Sequence, residues 1–224
     1  MHARQFNSLN ITITLVFAFA FLFLSSQFVR ADEHSDHQTR YIFALGDSLT
    51  AGYGLDAGLS FPDQLEAALQ QDGYNVEVVN GGVSGDTSKG GRNRLAWALS
   101  GDPAAKADIA IVALGANDAL RGLDPAKTRE KLAAIIEYLQ GRNMQVLLAG
   151  MLAPPNMGPD YAAEFDPIYG DLAAKYGVTL YPFFLDGVAT IPELNLDDGM
   201  HPNSDGISIM VTRIAPMVKT LLTD

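Results

Sequence analysis

Five short apolar runs punctuate the chain: Tyr41 to Leu45, Asn75 to Val79, Asp108 to Leu114, Met144 to Ala149 and Val178 to Phe184. Each is bounded by Gly, Pro, Asn or Asp, and runs of this length closed by turn residues read as strands. The run after Asp108, Ile-Ala-Ile-Val-Ala-Leu, is apolar on both faces. Such a strand belongs to a sheet covered on both sides. Helical spacing fills the intervals. Leu65, Leu69 and neighbouring alanines form one pattern, with Pro62 in its first turn. Asp124 can cap a second helix with Pro125 at the first helical position. Its apolar residues Leu132, Ile135, Ile136 and Leu139 share one face. Residues 161–176 and 205–222 are further helices, interrupted at Pro167 and Pro216. There is no internal repeat and no linker. Strands alternating with helices predict an α/β fold with a parallel sheet. Five strands in about 190 residues suit a three-layer, doubly wound α/β/α domain.

The N-terminus stands apart from this alternation. Arg4 is followed by no charged residue until Arg30, and Ile11 to Leu24 is a fourteen-residue apolar run broken only by Thr12 and Thr14. Val29 and Ala31 put small residues at the −3 and −1 positions of a cleavage site before Asp32. Residues 1–31 are therefore expected to be a cleavable signal peptide. Residues 32–39 are expected to be a disordered leader, and 40–224 the folded domain. An uncleaved membrane anchor is the competing reading, although fourteen residues fall short of the roughly 20 that a spanning helix needs. Cleavage predicts a periplasmic or secreted protein with no stable membrane insertion.

Composition narrows the function. With 224 residues, 48% hydrophobic and 18% charged, the chain is a folded domain and not a disordered one. Its net charge of −11 leaves no basic footprint for nucleic acid and disfavours anionic surfaces. Cysteine is absent, which removes disulfides, thiolate metal sites, iron–sulfur clusters and a cysteine nucleophile. Composition leaves the oligomeric state open.

Histidine is scarce enough for elimination. His2 lies in the expected signal peptide, His34 and His37 in the leader, and only His201 in the domain. One histidine and no cysteine cannot supply the nitrogen and sulfur ligands of a zinc site, so no metal is expected. A histidine base must therefore be His201, within Asp197-Asp198-Gly199-Met200-His201-Pro202. Asp198, three residues earlier, can reach one imidazole nitrogen through a turn and leave the other free to take a proton. The same segment also reads as a plain helix-entry turn with a surface histidine. Ser48, in Gly46-Asp47-Ser48-Leu49, follows directly on the first strand, where open α/β sheets bind ligands. It reads equally as a helix N-cap. Ser84, farther from the end of the second strand, is the competing nucleophile. The glycines of Asn80 to Asp86 allow a backbone N–H to approach a ligand closely. Gly115-Ala116-Asn117-Asp118 follows the third strand, and Asn117 offers an amide suited to a developing oxyanion. Each segment alone reads as an ordinary turn. Jointly, Ser48, Gly85, Asn117, Asp198 and His201 all follow strands, and a parallel sheet gathers those exits on one edge.

Gly-Asp-Ser-Leu at 46–49, Gly85, Gly-Ala-Asn-Asp at 115–118 and Asp-Gly-Met-His-Pro at 198–202 resemble the four blocks of the SGNH, or GDSL, hydrolases. The likeness covers about residues 41–222 and is strongest to small secreted bacterial esterases with thioesterase, lysophospholipase and arylesterase activity. It implies Ser48 as nucleophile, His201 as base and Asp198 as its partner. It implies the Ser48 and Gly85 N–H groups and the Asn117 amide as an oxyanion hole. It implies a flavodoxin-like strand order of 2-1-3-4-5, an acyl ester or lipid as small-molecule substrate, and no cofactor. Ala116 departs from the glycine common in the family. Two rivals stand beside this reading. A carbohydrate O-acetylesterase of the same fold needs a short polar pocket, whereas Met151 to Pro159 is apolar. A non-catalytic flavodoxin-like binding module needs phosphate-cradling glycines. Gly46, Gly52 and Gly54 match neither the dinucleotide nor the P-loop spacing.

Overall fold

The computed structural model of the protein describes residues 38–223. The expected signal peptide and most of the expected leader lie outside these residues. Five strands, β1 (Arg40–Gly46), β2 (Val76–Gly82), β3 (Ile109–Ala113), β4 (Gln145–Ala149) and β5 (Thr179–Tyr181), form one parallel sheet in the order β2-β1-β3-β4-β5. This is the three-layer α/β/α fold that the alternation of strands and helices predicts, with the strand order that the family resemblance implies. In the central register Ile42 lies between Val78 and Ile109, and Ile111 beside Leu147. All five residues of β3 are buried, as the two-sided apolar pattern requires.

The helices are α1 (Ser48–Ala51), α2 (Phe61–Gln71), α3 (Ser88–Ala98), α4 (Ala116–Leu120), α5 (Pro125–Gln140), α6 (Pro159–Phe165), α7 (Pro167–Tyr176) and α8 (Ser204–Thr223). α2 packs on α8 over one side of the sheet, and α3, α5 and α7 pack side by side over the other. The chain changes sides because the strand order reverses after β2 while crossovers keep one hand. Local chemistry starts the helices where the sequence predicts. Ser60 opens α2 through its N–H and hydroxyl, both donated to the Asp63 carboxylate (3.1 and 2.6 Å). Asp124 opens α5 by accepting the Ala126 N–H at 2.8 Å. Leu132, Ile135, Ile136 and Leu139 are fully buried on its inner face.

Four features differ from the pattern reading. β2 runs on through Asn80-Gly81-Gly82, and its last residue pairs with Gly46. β5 stops at Tyr181 instead of reaching Phe184. Pro182 has no N–H for a ladder, and the Phe184 N–H turns back to donate to the Gly150 carbonyl at 2.8 Å. α8 continues through Pro216, because buried Ile214 and Val218 flank it on the core face. α3 has no counterpart in the apolar spacing. Gly90 and Gly91 dilute its stripe, and Gly91 packs against Leu114 where a side chain would not fit. The break at Pro167 separates α6 from α7 as expected.

Candidate active site

The carboxyl ends of the five strands share one edge, and the order reverses between β1 and β3, the usual crevice for a ligand. At the β1 exit Asp47 is buried, and its carboxylate accepts the Leu49 N–H at 3.0 Å, which starts α1. Ser48 is the first residue of that helix, so its N–H has no intrahelical acceptor.

The loop before α8 brings the other two residues. One oxygen of Asp198 accepts the Met200 and His201 N–H groups at 2.9 and 3.0 Å, closing a tight turn. The other oxygen lies 2.6 Å from His201 Nδ1, and His201 Nε2 lies 2.8 Å from Ser48 Oγ. These contacts fit a proton on Nδ1, donated to Asp198, and an unprotonated Nε2 facing the hydroxyl. The two backbone N–H groups, reinforced by the imidazole, hold the Asp198 carboxyl down at about 2. It stays ionised beside the ring. Tyr53 packs its ring against His201, with centroids 4.5 Å apart. Asp197 and Ser84, both exposed, take no part in this chain of contacts.

The β3 exit presents Asn117. Gly115 has φ +116°, in the left-handed range, and a Cβ there would collide with the Tyr169 hydroxyl. That hydroxyl is buried and donates to the Leu114 carbonyl at 2.9 Å. The turn opens α4, and the Asn117 amide donates to the Asp86 carbonyl (3.0 Å) and to Asp47 Oδ2 (3.2 Å). At the β2 exit Gly85 takes φ +83°, and its carbonyl accepts from Arg121 at 2.8 Å. The Val83 N–H donates to the Gly46 carbonyl at 3.1 Å, so the Gly85 loop is laid against the β1 exit. The five residues singled out from sequence therefore arrive on one edge. Ser48, His201 and Asp198 are joined directly, and Asn117 and the Gly85 loop are tied around them.

The sequence reading missed two groups. Asp47 was seen only as part of a turn. Burial pushes its carboxyl up to about 6, although the Leu49 N–H, the Asn117 amide and the charge of His201 oppose that rise. Its second partner, seventy residues away, is a tertiary contact that no local spacing announces. Arg94, in α3, is the other. It donates to Asp86 at 2.6 Å and to the Gly46 and Gly81 carbonyls at 3.0 and 2.7 Å, clamping the ends of β1 and β2 to the Gly85 loop. A helix hidden by two glycines hides its arginine as well. Among the described residues, no cluster of three or more His, Asp or Glu side chains could hold a metal ion.

Beside Ser48 and His201 opens a cavity of about 610 Å³, lined mainly by Leu49, Leu120, Met151, Leu152, Phe183 and Leu185. The segment after β4 contributes Met151 to Pro155, so this apolar stretch lines the site and does more than cap the sheet.

A serine, a histidine and an aspartate in hydrogen-bond sequence at the switch point of a parallel sheet define the serine-hydrolase class of site. Residues 44–208 match the GDSL-like Lipase/Acylhydrolase family, and the chain belongs to that family. It is 36% identical to "Esterase TesA" of Pseudomonas aeruginosa over 81% of this chain and 89% of that protein. It is 35% identical to "Thioesterase 1/protease 1/lysophospholipase L1" of Escherichia coli strain K12, over 81% of this chain and 84% of that protein. The crystal structure of AlinE4, an SGNH-hydrolase family esterase, is 48% identical with a TM-score of 0.70, covering 83% of this chain and 97% of that one.

Proposed function

We propose that the protein is a carboxylic ester hydrolase that works through an acyl-enzyme on Ser48. The observation that carries this reading is the contact sequence from Ser48 Oγ through His201 to Asp198, 2.8 and 2.6 Å long, beside an apolar cavity. Ser48 Oγ attacks the ester carbonyl while His201 Nε2 takes its proton. The tetrahedral oxyanion rests on the Ser48 and Gly85 N–H groups and the Asn117 amide. For this it takes over the Asn117 hydrogen that Asp47 now holds at the longer distance, 3.2 Å. The imidazolium, steadied by ionised Asp198, then protonates the leaving alcohol as the C–O bond breaks. Water repeats the cycle on the acyl-enzyme, releasing the acid and restoring Ser48.

The apolar lining fits an acyl chain longer than acetate, and it argues against an acetylated sugar, which needs polar groups around its ring. Thioesters and lysophospholipids share the reacting carbonyl and belong to the same reading. The test is turnover by purified protein of p-nitrophenyl esters of increasing chain length, alongside acyl-CoA thioesters and lysophospholipids. Rates that rise beyond acetate support the proposal. Folded protein without ester turnover contradicts it, and activity confined to acetylated sugars favours the O-acetylesterase reading.

We also propose export, on the strength of Arg4, the apolar run from Ile11 to Leu24 and Ala31. The exported protein should begin at Asp32 by intact-mass measurement. Residues 1–31 retained in a membrane fraction contradict this.

A further inference from the structure

Each end of β1 is held by an arginine, and the two clamps grip different things. At the entry end, Arg40 donates to Asp108 Oδ2 at 2.7 Å and to the Leu222 carbonyl at 3.0 Å. These contacts tie β1 to the start of β3 and the last turn of α8. At the exit end, about 20 Å along the strand, Arg94 Nε donates to Asp86 Oδ2 at 2.6 Å. One terminal nitrogen of Arg94 donates to the Gly46 and Gly81 carbonyls at 3.0 and 2.7 Å. Asp86 is the node of this second clamp. Its carboxylate takes the guanidinium, its carbonyl takes the Asn117 amide at 3.0 Å, and its N–H closes a turn onto the Val83 carbonyl at 3.0 Å. Gly85 is the residue before it. Gly46, on the other arm, stands just before Asp47-Ser48 and also accepts the Val83 N–H at 3.1 Å. The segments that carry the Ser48 N–H, the Gly85 N–H and the Asn117 amide therefore meet at one guanidinium–carboxylate pair. α3 leaves room for it, since a Cβ on Gly90 would collide with the Asp86 carboxylate.

We propose that Arg94, acting through Asp86, is a positioning residue for ester hydrolysis: it fixes the spacing of the three oxyanion donors, so its loss slows acyl transfer without weakening substrate binding. This rests on the ester-hydrolase reading above. Three observations separate the role from plain support of the fold. The Arg94–Asp86 pair is largely buried, each side chain 17% exposed. A desolvated ion pair gains little net stability over apolar packing, so stability alone gives no reason for it. The guanidinium also places three hydrogen bonds on acceptors from β1, β2 and the Gly85 loop, a planar fork that an ammonium group does not reproduce. Finally, neither Arg94 nor Asp86 lines the cavity, so neither is placed to bind the acyl chain. What the pair can set is where the donors stand. The oxyanion forms only in the transition state, and the donors must already lie within hydrogen-bond reach of it. A displacement of about 1 Å is enough to cost about 10² in rate.

The entry-end clamp supplies a built-in control, and the two are compared in the full-length protein. Arg94→Ala should lower kcat on a p-nitrophenyl ester by about 10², with KM within about threefold of wild type. Arg40→Ala should lower the urea midpoint and leave kcat within about twofold of wild type. Equal kcat losses at the two ends, a loss carried by KM, or wild-type kcat in Arg94→Ala overturns the proposal. Should Arg94→Ala fail to fold by circular dichroism, Arg94→Lys carries the test. It keeps the charge but not the fork, and should lose about tenfold or more in kcat. Full activity in Arg94→Lys overturns the proposal. Combining the Arg94 variant with Asn117→Ala should cost less than the product of the two single losses, because both act on the same oxyanion. Losses that multiply in full overturn it. A wild type that cleaves no ester contradicts the ester-hydrolase reading itself. Wild-type turnover matched by Arg94→Ala contradicts the positioning role alone.

Discussion

Asp47 and Asp198 stand on opposite sides of the Ser48–His201 contact, and the fold treats them in opposite ways. Asp47 sits at the end of β1, almost wholly buried, with one backbone N–H and one amide for partners. Asp198 sits in an open loop, with two backbone N–H groups and an imidazole. Burial raises the first carboxyl to about 6, and hydrogen bonding holds the second at about 2. The ordinary value for both is 3.8. The difference teaches that donor count and solvent access, not nearness to the reacting atoms, decide which carboxylate stays charged. The exposed one is suited to steady an imidazolium. The buried one is suited to hold Asn117 and the first turn of α1 in place.

The largest effect should come from the group both regions serve. His201→Ala should lower kcat on a p-nitrophenyl ester by about 10⁶, as removal of a triad base does elsewhere, with an unchanged circular dichroism spectrum. Next is Asp198→Asn, expected to cost about 10⁴ in kcat by favouring the wrong tautomer of the ring. Asp197→Asn should cost far less, since its side chain is outside the chain of contacts. A folded pair in which Asp197 is the more damaging site breaks the assignment. Asn117→Ala should lower kcat by about 10²–10³ with little change in KM, the signature of a donor used in the transition state. A rise in KM alone would make Asn117 a substrate-binding residue instead.

The smallest effect in rate and the sharpest in pH concerns stability. Asp47 has a folded value of about 6, above 3.8. Its contribution to stability is therefore full below pH 3.8 and is lost as pH rises through about 6. Asp47→Asn has no charge to bury, so urea unfolding should shift in its favour relative to wild type, by on the order of 2–3 kcal/mol, between about pH 4 and 7. Asp198, at about 2, has the opposite sign: its contribution is full above 3.8 and is lost as pH falls through about 2. Asp198→Asn should lose ground to wild type as pH rises from about 2 to 3.8, with no further change above. Like signs for the two variants would erase the contrast.

Much of this was legible in the amino-acid order because the relevant signals are local. β3 announces itself by continuous apolar residues, and Asp124-Pro125 marks the start of α5. Ser48 and Asn117 stand just beyond strands whose exits are marked by Gly, and His201 is the one histidine outside the N-terminal 37 residues, just before the last helix. What escaped is tertiary. α3 is held by the fit of Gly91 against Leu114, not by an apolar stripe, so it and its clamp Arg94 left no periodic trace. The contact between Asp47 and Asn117 exists only once the ends of β1 and β3 lie side by side. β5 ends early because of Pro182, whose missing N–H matters more than the apolar Phe183 and Phe184 behind it.

The central claim is that Ser48, activated by His201, forms the covalent intermediate. It is tested most directly by reacting the protein with a serine-directed phosphonate and mapping the adduct by peptide mass spectrometry. One adduct per chain, on the peptide containing Ser48 and abolished by His201→Ala, is the predicted result. An adduct on Ser84, or one that forms equally well without His201, would contradict the account.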